Sequence, residues 1–302
     1  MNERVSVVLS TYEQPRALAL ALRGYACQTF SDFELVVADD GSGPQTARIV
    51  GQAGERGLDV CHVWHEDRGF RKTEALNRAI VAASGAYLIF SDGDCIPRDD
   101  FVATHVRLAE PDRFLSGGYL KLPESVTRAV DETAIDSGHV FDLSWLRREG
   151  YRPGHRASRL TRSLMLARVL DAITPTRPTW NGHSASTWKE HLLDVNGFDL
   201  DMGWGGLDRA VGERLDNSGV HGKQVRHRAV CVHLYHERPY EDPAAMEANR
   251  VIRDRIRRLR ETRAPSGLQE TEGMELKMRV DTEVNTRIEP AVDTRNDSEV
   301  TG

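Results

Sequence analysis

Two acidic clusters, one lone aspartate and a pair of histidines hold most of the chemistry available to this 302-residue sequence. The most pointed cluster is Asp92-Gly93-Asp94, directly after the apolar run Tyr87-Leu88-Ile89-Phe90. Two carboxylates held one residue apart repel each other, and a cation relieves the repulsion. Carboxylate oxygens suit a hard divalent ion, which also binds diphosphate oxygens. Asp39-Asp40-Gly41-Ser42 ends a second apolar run. Its acids can accept hydrogen bonds from a base or ribose, although an Asx-turn closing a strand accounts for the same residues. The lone acid is Asp208, which follows Gly203-Trp204-Gly205-Gly206-Leu207. It either caps a helix or places a carboxylate in a pocket.

His233 and His236, in the segment HLYH, can complete a metal site begun by Asp94, and a core histidine is the plainer reading. Positions i and i+3 of one strand face opposite ways, so only one of the two reaches a given site unless the chain turns after Leu234. Arg71 and Lys72 lie in GFRKTEALN, where a helix start favours phosphate. For Lys72, simple surface exposure competes with that role. Asn77 is unexpected on an apolar helix face and can bond a strand-end loop.

These residues need elements to position them. Arg4–Thr11, Asp32–Gly43, Leu58–Glu66 and Ala86–Cys95 are short apolar runs that read as strands, two of them ending in acids. Helical patterns run from Pro15 to about Cys27 and from Thr73 to Ser84, the second closed by Gly85. Alternation of strands and helices predicts an α/β fold, with a mostly parallel central sheet and helices on both faces. Ligands of such sheets sit at the carboxyl ends of the strands, where the acids lie. Arg113–Leu122 and Gln224–His236 read as further strands. Short helices are predicted over Trp188–Phe198 and Leu207–Gly219, and a longer one over Pro243–Arg263. Residues 124–173 are basic and less regular, with two helices split by Pro153 and Gly154. From Ala264 the chain is acidic and reads as flexible.

Composition narrows the function classes. The net charge of −6 gives no global attraction to nucleic acid. The basic segments 147–168 and 253–260 are local and match no nucleic-acid reader motif. They suit an anionic membrane surface or a charged glycan, and Trp145, Leu146, Arg147 and Arg148 are the candidates for a peripheral membrane contact. The four cysteines, Cys27, Cys61, Cys95 and Cys231, form no CxxC pair, which suits a reducing compartment. The first residues lack the apolar core of a signal peptide, and the expectation is a cytoplasmic protein.

Taken in order, VSVVLSTYEQP, VVADDGSG and SDGDC resemble the nucleotide-sugar half of glycosyltransferase family 2, with its GT-A fold and Rossmann-like nucleotide-binding half. Asn181–Tyr240 resembles the galactosyltransferase-type C-terminal region of beta-1,4-galactosyltransferases and bacterial polysaccharide transferases. The resemblance covers residues 4–122 and 178–240. It divides the chain into a nucleotide-sugar half (1–122), a basic insertion (123–177), an acceptor-binding and catalytic half (178–263) and an acidic tail (264–302).

The resemblance implies roles. Asp39 would bind the uracil edge of a uridine diphosphate sugar, with Thr11 and Glu13 near base and ribose. Asp92 would face the ribose and Asp94 the metal, Mn2+ or Mg2+. Arg71 would be the basic residue near the donor. His233 or His236 would be the late metal ligand, His236 preferred. Trp204 and Gly205 would line the donor and acceptor sugars. In the family the turn reads Gly-Trp-Gly-Gly-Glu-Asp, its second acid being the catalytic base. Here the pair is Leu207-Asp208, so the base position is kept and the preceding acid is lost. The implied activity is inverting, metal-dependent transfer to a saccharide or lipid-linked saccharide hydroxyl. A sugar nucleotidyltransferase would share the sheet, the acids and the metal. It would, however, carry a glycine-rich basic loop where this chain has STYEQP. A non-catalytic sugar-binding protein is the alternative that Leu207 keeps open.

Overall fold

In the computed structural model, which describes residues 4–237 and 241–271, strands and helices alternate from the start. The first half runs β1 (Val5–Thr11), α1 (Pro15–Ala26), β2 (Phe33–Asp39), α2 (Pro44–Glu55), β3 (Val60–Trp64), α3 (Lys72–Ala82), β4 (Tyr87–Asp92), β5 (Cys95–Pro97) and α4 (Phe101–Leu108). Next come β6 (Arg113–Ser116), β7 (Gly118–Lys121), α5 (Glu124–Ala129), α6 (Glu132–Asp136), α7 (Leu143–Arg148) and α8 (Leu164–Ile173). The last part holds β8 (Ala185–Trp188), α9 (Lys189–Asp194), α10 (Leu207–Ser218), β9 (His221–Gln224), β10 (Val230–His233) and α11 (Pro243–Leu259).

The main sheet has the order β3-β2-β1-β4-β8-β6-β9, and β3, β2, β1 and β4 are mutually parallel. Side chains of these strands alternate between two cores, as period-2 geometry requires of a sheet covered on both faces. Val8, Val36, Ala38, Leu88 and Phe90 pack with α3, α9 and α10. Val7, Leu9, Leu35, Val37 and Ile89 pack with α1, α2 and α4. After β1 the chain adds β2 and β3 on one side and then crosses to place β4 on the other. That reversal opens a crevice at the carboxyl ends of β1 and β4, the usual ligand position in open α/β sheets.

A smaller sheet, β5-β10-β7, continues from the acidic turn. Arg113–Leu122 is two strands in two sheets rather than one. The break falls at Gly117, where a β-carbon would lie 1.8 Å from Ser184 Oγ. Gln224–His236 likewise holds only the end of β9, then β10. Gly85 does not close α3, which ends at Ala82; its N–H instead donates to Ser6 Oγ at 2.8 Å. The 143–173 region has its two helices, with a 3-10 segment at His155–Leu160 between them.

Two other expectations are corrected. Trp145 and Leu146 are buried, in a core formed by α5–α7 against the small sheet, because the amphipathic α7 turns its apolar side inward. They offer nothing to a membrane surface. Residues 264–271 are not free of the fold: Leu268 is buried in the main core, and the N–H groups of Ala264 and Leu268 bond Val195 and Asn196 carbonyls. The rest of the predicted tail lies outside the described residues. No helix among those described is long and apolar enough to cross a membrane.

One buried ion pair fixes the approach to α10. Arg214 donates from a guanidinium nitrogen to Asp199 Oδ2 at 2.6 Å, with both side chains almost wholly buried. Removing one partner leaves an uncompensated buried charge, at a cost of about 3–5 kcal/mol. Asp199→Ala should lower the urea midpoint by a corresponding amount. A midpoint equal to that of the unaltered chain would show that the pair does not hold α10 in place.

Candidate active site

At the crevice, β1 contributes Ser10 and Thr11 and β4 contributes Asp92, all lining a cavity of about 460 Å3. Gly93 N–H bonds the Ser10 carbonyl at 2.7 Å, which locks the acidic turn to the end of β1. Asp92 accepts from Ser10 Oγ at 2.7 Å and from Lys72 Nζ at 2.9 Å. Lys72 is the first residue of α3 and its ammonium reaches into the cavity. Burial opposes the charge on Asp92, but Lys72 overrides it and holds that carboxyl well below the usual range. Burial likewise pulls Lys72 down, and Asp92, Asp208 and Asp94 together raise it above an ordinary lysine.

Asp94 sits one residue before β5, whose partner is β10. The register pairs His233 with Cys95, and Leu234 N–H bonds the Asp94 carbonyl at 3.0 Å. The strand ends at His233 and the chain turns, so both histidines reach the same place. His236 Nε2 lies 3.0 Å from Asp94 Oδ2 and His233 Nε2 3.7 Å from it, with the two rings stacked 5.4 Å apart. The restriction to one histidine is thereby lifted. Donor atoms of Asp94, His233 and Cys95 lie within 4.8 Å of one another, a grouping that can hold a metal ion. Burial, with Cys231 alongside, pushes the Cys95 thiol well above its usual value. The carboxylate and imidazole donors fit a divalent cation with a preference for oxygen and nitrogen.

Asp208 is the second residue of α10 and does not cap it. The cap position is Gly206, in the left-handed region at φ 86°, with no side-chain capping bond. Gly205 is also left-handed, at φ 93°, so the turn requires glycine at both places. Asn249 of α11 pins this turn, donating from Nδ2 to the carbonyls of Gly203, Trp204 and Gly205 at 2.9, 3.1 and 2.6 Å. Asp208 lines the cavity, yet its Oδ1 is buried with no hydrogen-bond partner. Gly182 makes room for it, since a β-carbon there would lie 3.1 Å from Asp208 Oδ1. Burial raises the Asp208 carboxyl to about 6, with Asp92 adding to the rise and Lys72 and Arg209 opposing it. A carboxylate poised near neutrality, in a cavity and free of bonds, is suited to take a proton. Leu207 is 5% exposed and belongs to the main core, so this turn presents a single acid.

The remaining expected residues divide. Thr11, Asp92, Asp94, Trp204, Gly205, Asp208, His233 and His236 line one cavity. Asp39 does not: it is fully buried, accepts from Ser42 N–H at 2.8 Å and meets His62 Nε2 at 2.9 Å. That is the Asx-turn reading, and Asp40 lines the cavity in its place. Glu13 binds the Gly43 N–H through Oε1 at 2.6 Å, clasping two loops together. Arg71 pairs with Glu74 at 2.9 Å, while the next residue, Lys72, enters the cavity. Asn77 exchanges two bonds of 2.8 Å with the backbone of Phe198. Tyr12 and Phe70, exposed aromatics on the loops after β1 and before α3, also line the cavity and were missed by the motif reading. Their signal is an aromatic in a polar loop at a strand end.

Comparison with known proteins agrees with this geometry. The sequence model of "Glycosyl transferase family 2" matches residues 6–147. Validoxylamine A glucosyltransferase of Streptomyces hygroscopicus subsp. jinggangensis (strain 5008) is 30% identical over 258 residues, 78% of this chain and 57% of that protein. Chondroitin synthase of Pasteurella multocida (strain Pm70) is 30% identical over 244 residues, 72% of this chain and 23% of that protein. The chain therefore spans a little over half the length of the first relative. In fold it is similar to the mannosyltransferase PcManGT of Pyrobaculum calidifontis, solved with GDP-Man and Mn2+, with a TM-score of 0.57 at 20% identity over 97% of this chain and 77% of that one. S. aureus TarS 1-349, solved with UDP-GlcNAc, gives a TM-score of 0.57 at 16% identity over 89% of this chain and 69% of that one. By family match and fold together, the chain carries a family-2 glycosyltransferase region, residues 6–147, on a GT-A-like fold.

Proposed function

We propose that the chain transfers a sugar, with inversion, from a nucleoside diphosphate sugar to a saccharide hydroxyl, with Asp208 as the general base. The observation that carries this reading is the unpartnered Asp208 carboxylate, raised to about 6, in the same cavity as Asp94 and the two histidines. Asp94, His236 and His233 would hold a divalent cation, Mn2+ or Mg2+. When bound, such an ion neutralises the charge that builds on a departing diphosphate. Tyr12 and Phe70 offer aromatic faces to the base, and Trp204 offers one to a sugar.

Asp208 accepts the proton of the attacking hydroxyl as its oxygen bonds to the anomeric carbon. The bond from that carbon to the diphosphate oxygen breaks, and its electron pair leaves with the nucleoside diphosphate. One displacement at a centre with oxocarbenium character inverts its configuration. Lys72 keeps Asp92 ionised and stops it competing for that proton. Uridine is the favoured base, on the resemblance of the acidic motifs, and the turn at 203–208 supports a galactosyltransferase-type acceptor half. The name of one relative, a chondroitin synthase, favours polysaccharide or glycan synthesis as the setting.

Three experiments test this. Asp208→Asn preserves shape and removes the base, so transfer should fall about 10²- to 10⁴-fold while donor affinity holds. Proton NMR of the product formed by the unaltered chain should show an inverted anomeric centre. Turnover by Asp208→Asn at the original rate, or a retained configuration, would contradict the assignment. Separately, Asp94→Ala should abolish manganese-dependent binding of uridine and guanosine diphosphate sugars in calorimetry, with the melting curve unchanged. Undiminished manganese affinity in that variant would remove Asp94 from the metal site.

A further inference from the structure

A second cavity, of about 320 Å3, opens beside the first and shares Asp92, Gly206 and Asp208 with it. Its walls carry four guanidinium groups, from Arg156, Arg159, Arg209 and Arg226. They come from three separate parts of the chain: the 3-10 segment before α8, the first turn of α10, and the loop between β9 and β10. No carboxylate among the described residues pairs with any of the four. Other arginines of the chain do have carboxylate partners. Arg228 bonds Asp171 at 2.7 Å, Arg214 bonds Asp199, and Arg253 bonds Glu213 at 2.6 Å.

Geometry ties this cluster to the reaction centre. Arg156 and Arg159 lie over the Tyr119 ring, their guanidinium carbons 5.2 and 5.8 Å from its centroid. The same ring meets His183 at 4.2 Å and His233 at 5.9 Å, so one aromatic side chain separates the arginines from the metal-site histidine. Of the four, Arg209 lowers the Asp208 carboxyl, against the larger effect of burial. Asp92 is already bonded to Lys72. Burial lowers Arg159 and Arg226, and neighbouring arginines lower both further, so like charges face one another across the space. Asp171, which opposes this at Arg226, is itself bonded by Arg228 and His227. Guanidinium groups arranged in this way match the planar oxygens of a carboxylate or the oxygens of a phosphate or sulfate.

We infer that the acceptor is anionic, its carboxylate, phosphate or sulfate received by Arg156, Arg159, Arg209 and Arg226 while its hydroxyl meets Asp208. This rests on the transferase reading above and specifies its acceptor. The chain, loaded with UDP and manganese, is titrated with methyl β-D-glucuronide, glucose 6-phosphate, glucose 6-sulfate and neutral methyl β-D-glucoside, with binding followed by NMR. At least one anionic probe should bind about 10-fold or more tightly than the glucoside, as charge-assisted bonds to arginine imply. Which probe wins tells carboxylate from phosphate or sulfate. In the double variant Arg156→Gln/Arg226→Gln that preference should vanish, while affinity for UDP with manganese, measured by calorimetry, stays as it was. Equal binding of charged and neutral probes, a preference that survives the double variant, or displacement of the anionic probe by UDP would overturn the inference. Failure of the unaltered chain to bind either UDP or GDP with manganese would instead overturn the transferase reading itself.

Discussion

One partly buried ammonium facing two carboxylates governs the site. Lys72 bonds Asp92 directly and acts on Asp208 only through its field. The two acids consequently differ. Asp92 stays ionised despite burial, whereas Asp208, with no bond to stabilise its charge, rises to about 6. Environments that push two neighbouring carboxyl groups apart assign them different tasks. Without the ammonium, Asp92 would lose its ion pair and face Asp208 as a like charge. The fold therefore has to hold the start of α3, the end of β4 and the start of α10 in fixed relation.

Each is held by a separate device. Alternating burial on both faces fixes β1 and β4 at the centre of the sheet, and the Gly93 bond to Ser10 fixes the acidic turn. Asn77, one turn along α3 from Thr73, bonds Phe198 at both backbone atoms and ties that helix to the loop leading into the Trp204 turn. The Asp199–Arg214 pair and the three Asn249 bonds then set the pitch of that turn from two sides. None of Asn77, Asp199, Arg214 and Asn249 touches the space where substrate would lie. They position the residues that do.

Much of this was legible in the sequence, and what was not has physical reasons. The parallel core strands were evident because each is a continuous apolar run ended by acids or turns. Asp94 and Asp208 were evident because short local patterns, an acid pair and a glycine turn, fix their surroundings. The choice between adjacent residues was not: Asp40 rather than Asp39, and Lys72 rather than Arg71, enter the cavity. That choice depends on how a loop twists as it leaves its strand. The antiparallel β8 was hidden because its four residues are too few to show a period. The convergence of His233 and His236 needed the pairing of β10 with β5, which no local pattern contains. Asn249 looked like one polar residue on a basic helix, and only the packed turn reveals what it holds.

The most direct test of this account is the pH dependence of kcat/KM, measured on the unaltered chain and on Lys72→Met. A base must be ionised to act, so activity of the unaltered chain should be lost as pH falls through about 6. Lys72 lowers the Asp208 value, so removing its charge should move that acid limb to higher pH. A limb at the ordinary aspartate value of 3.8, or one that stays in place when Lys72 is replaced, would contradict the claim that this ammonium tunes Asp208 as the base.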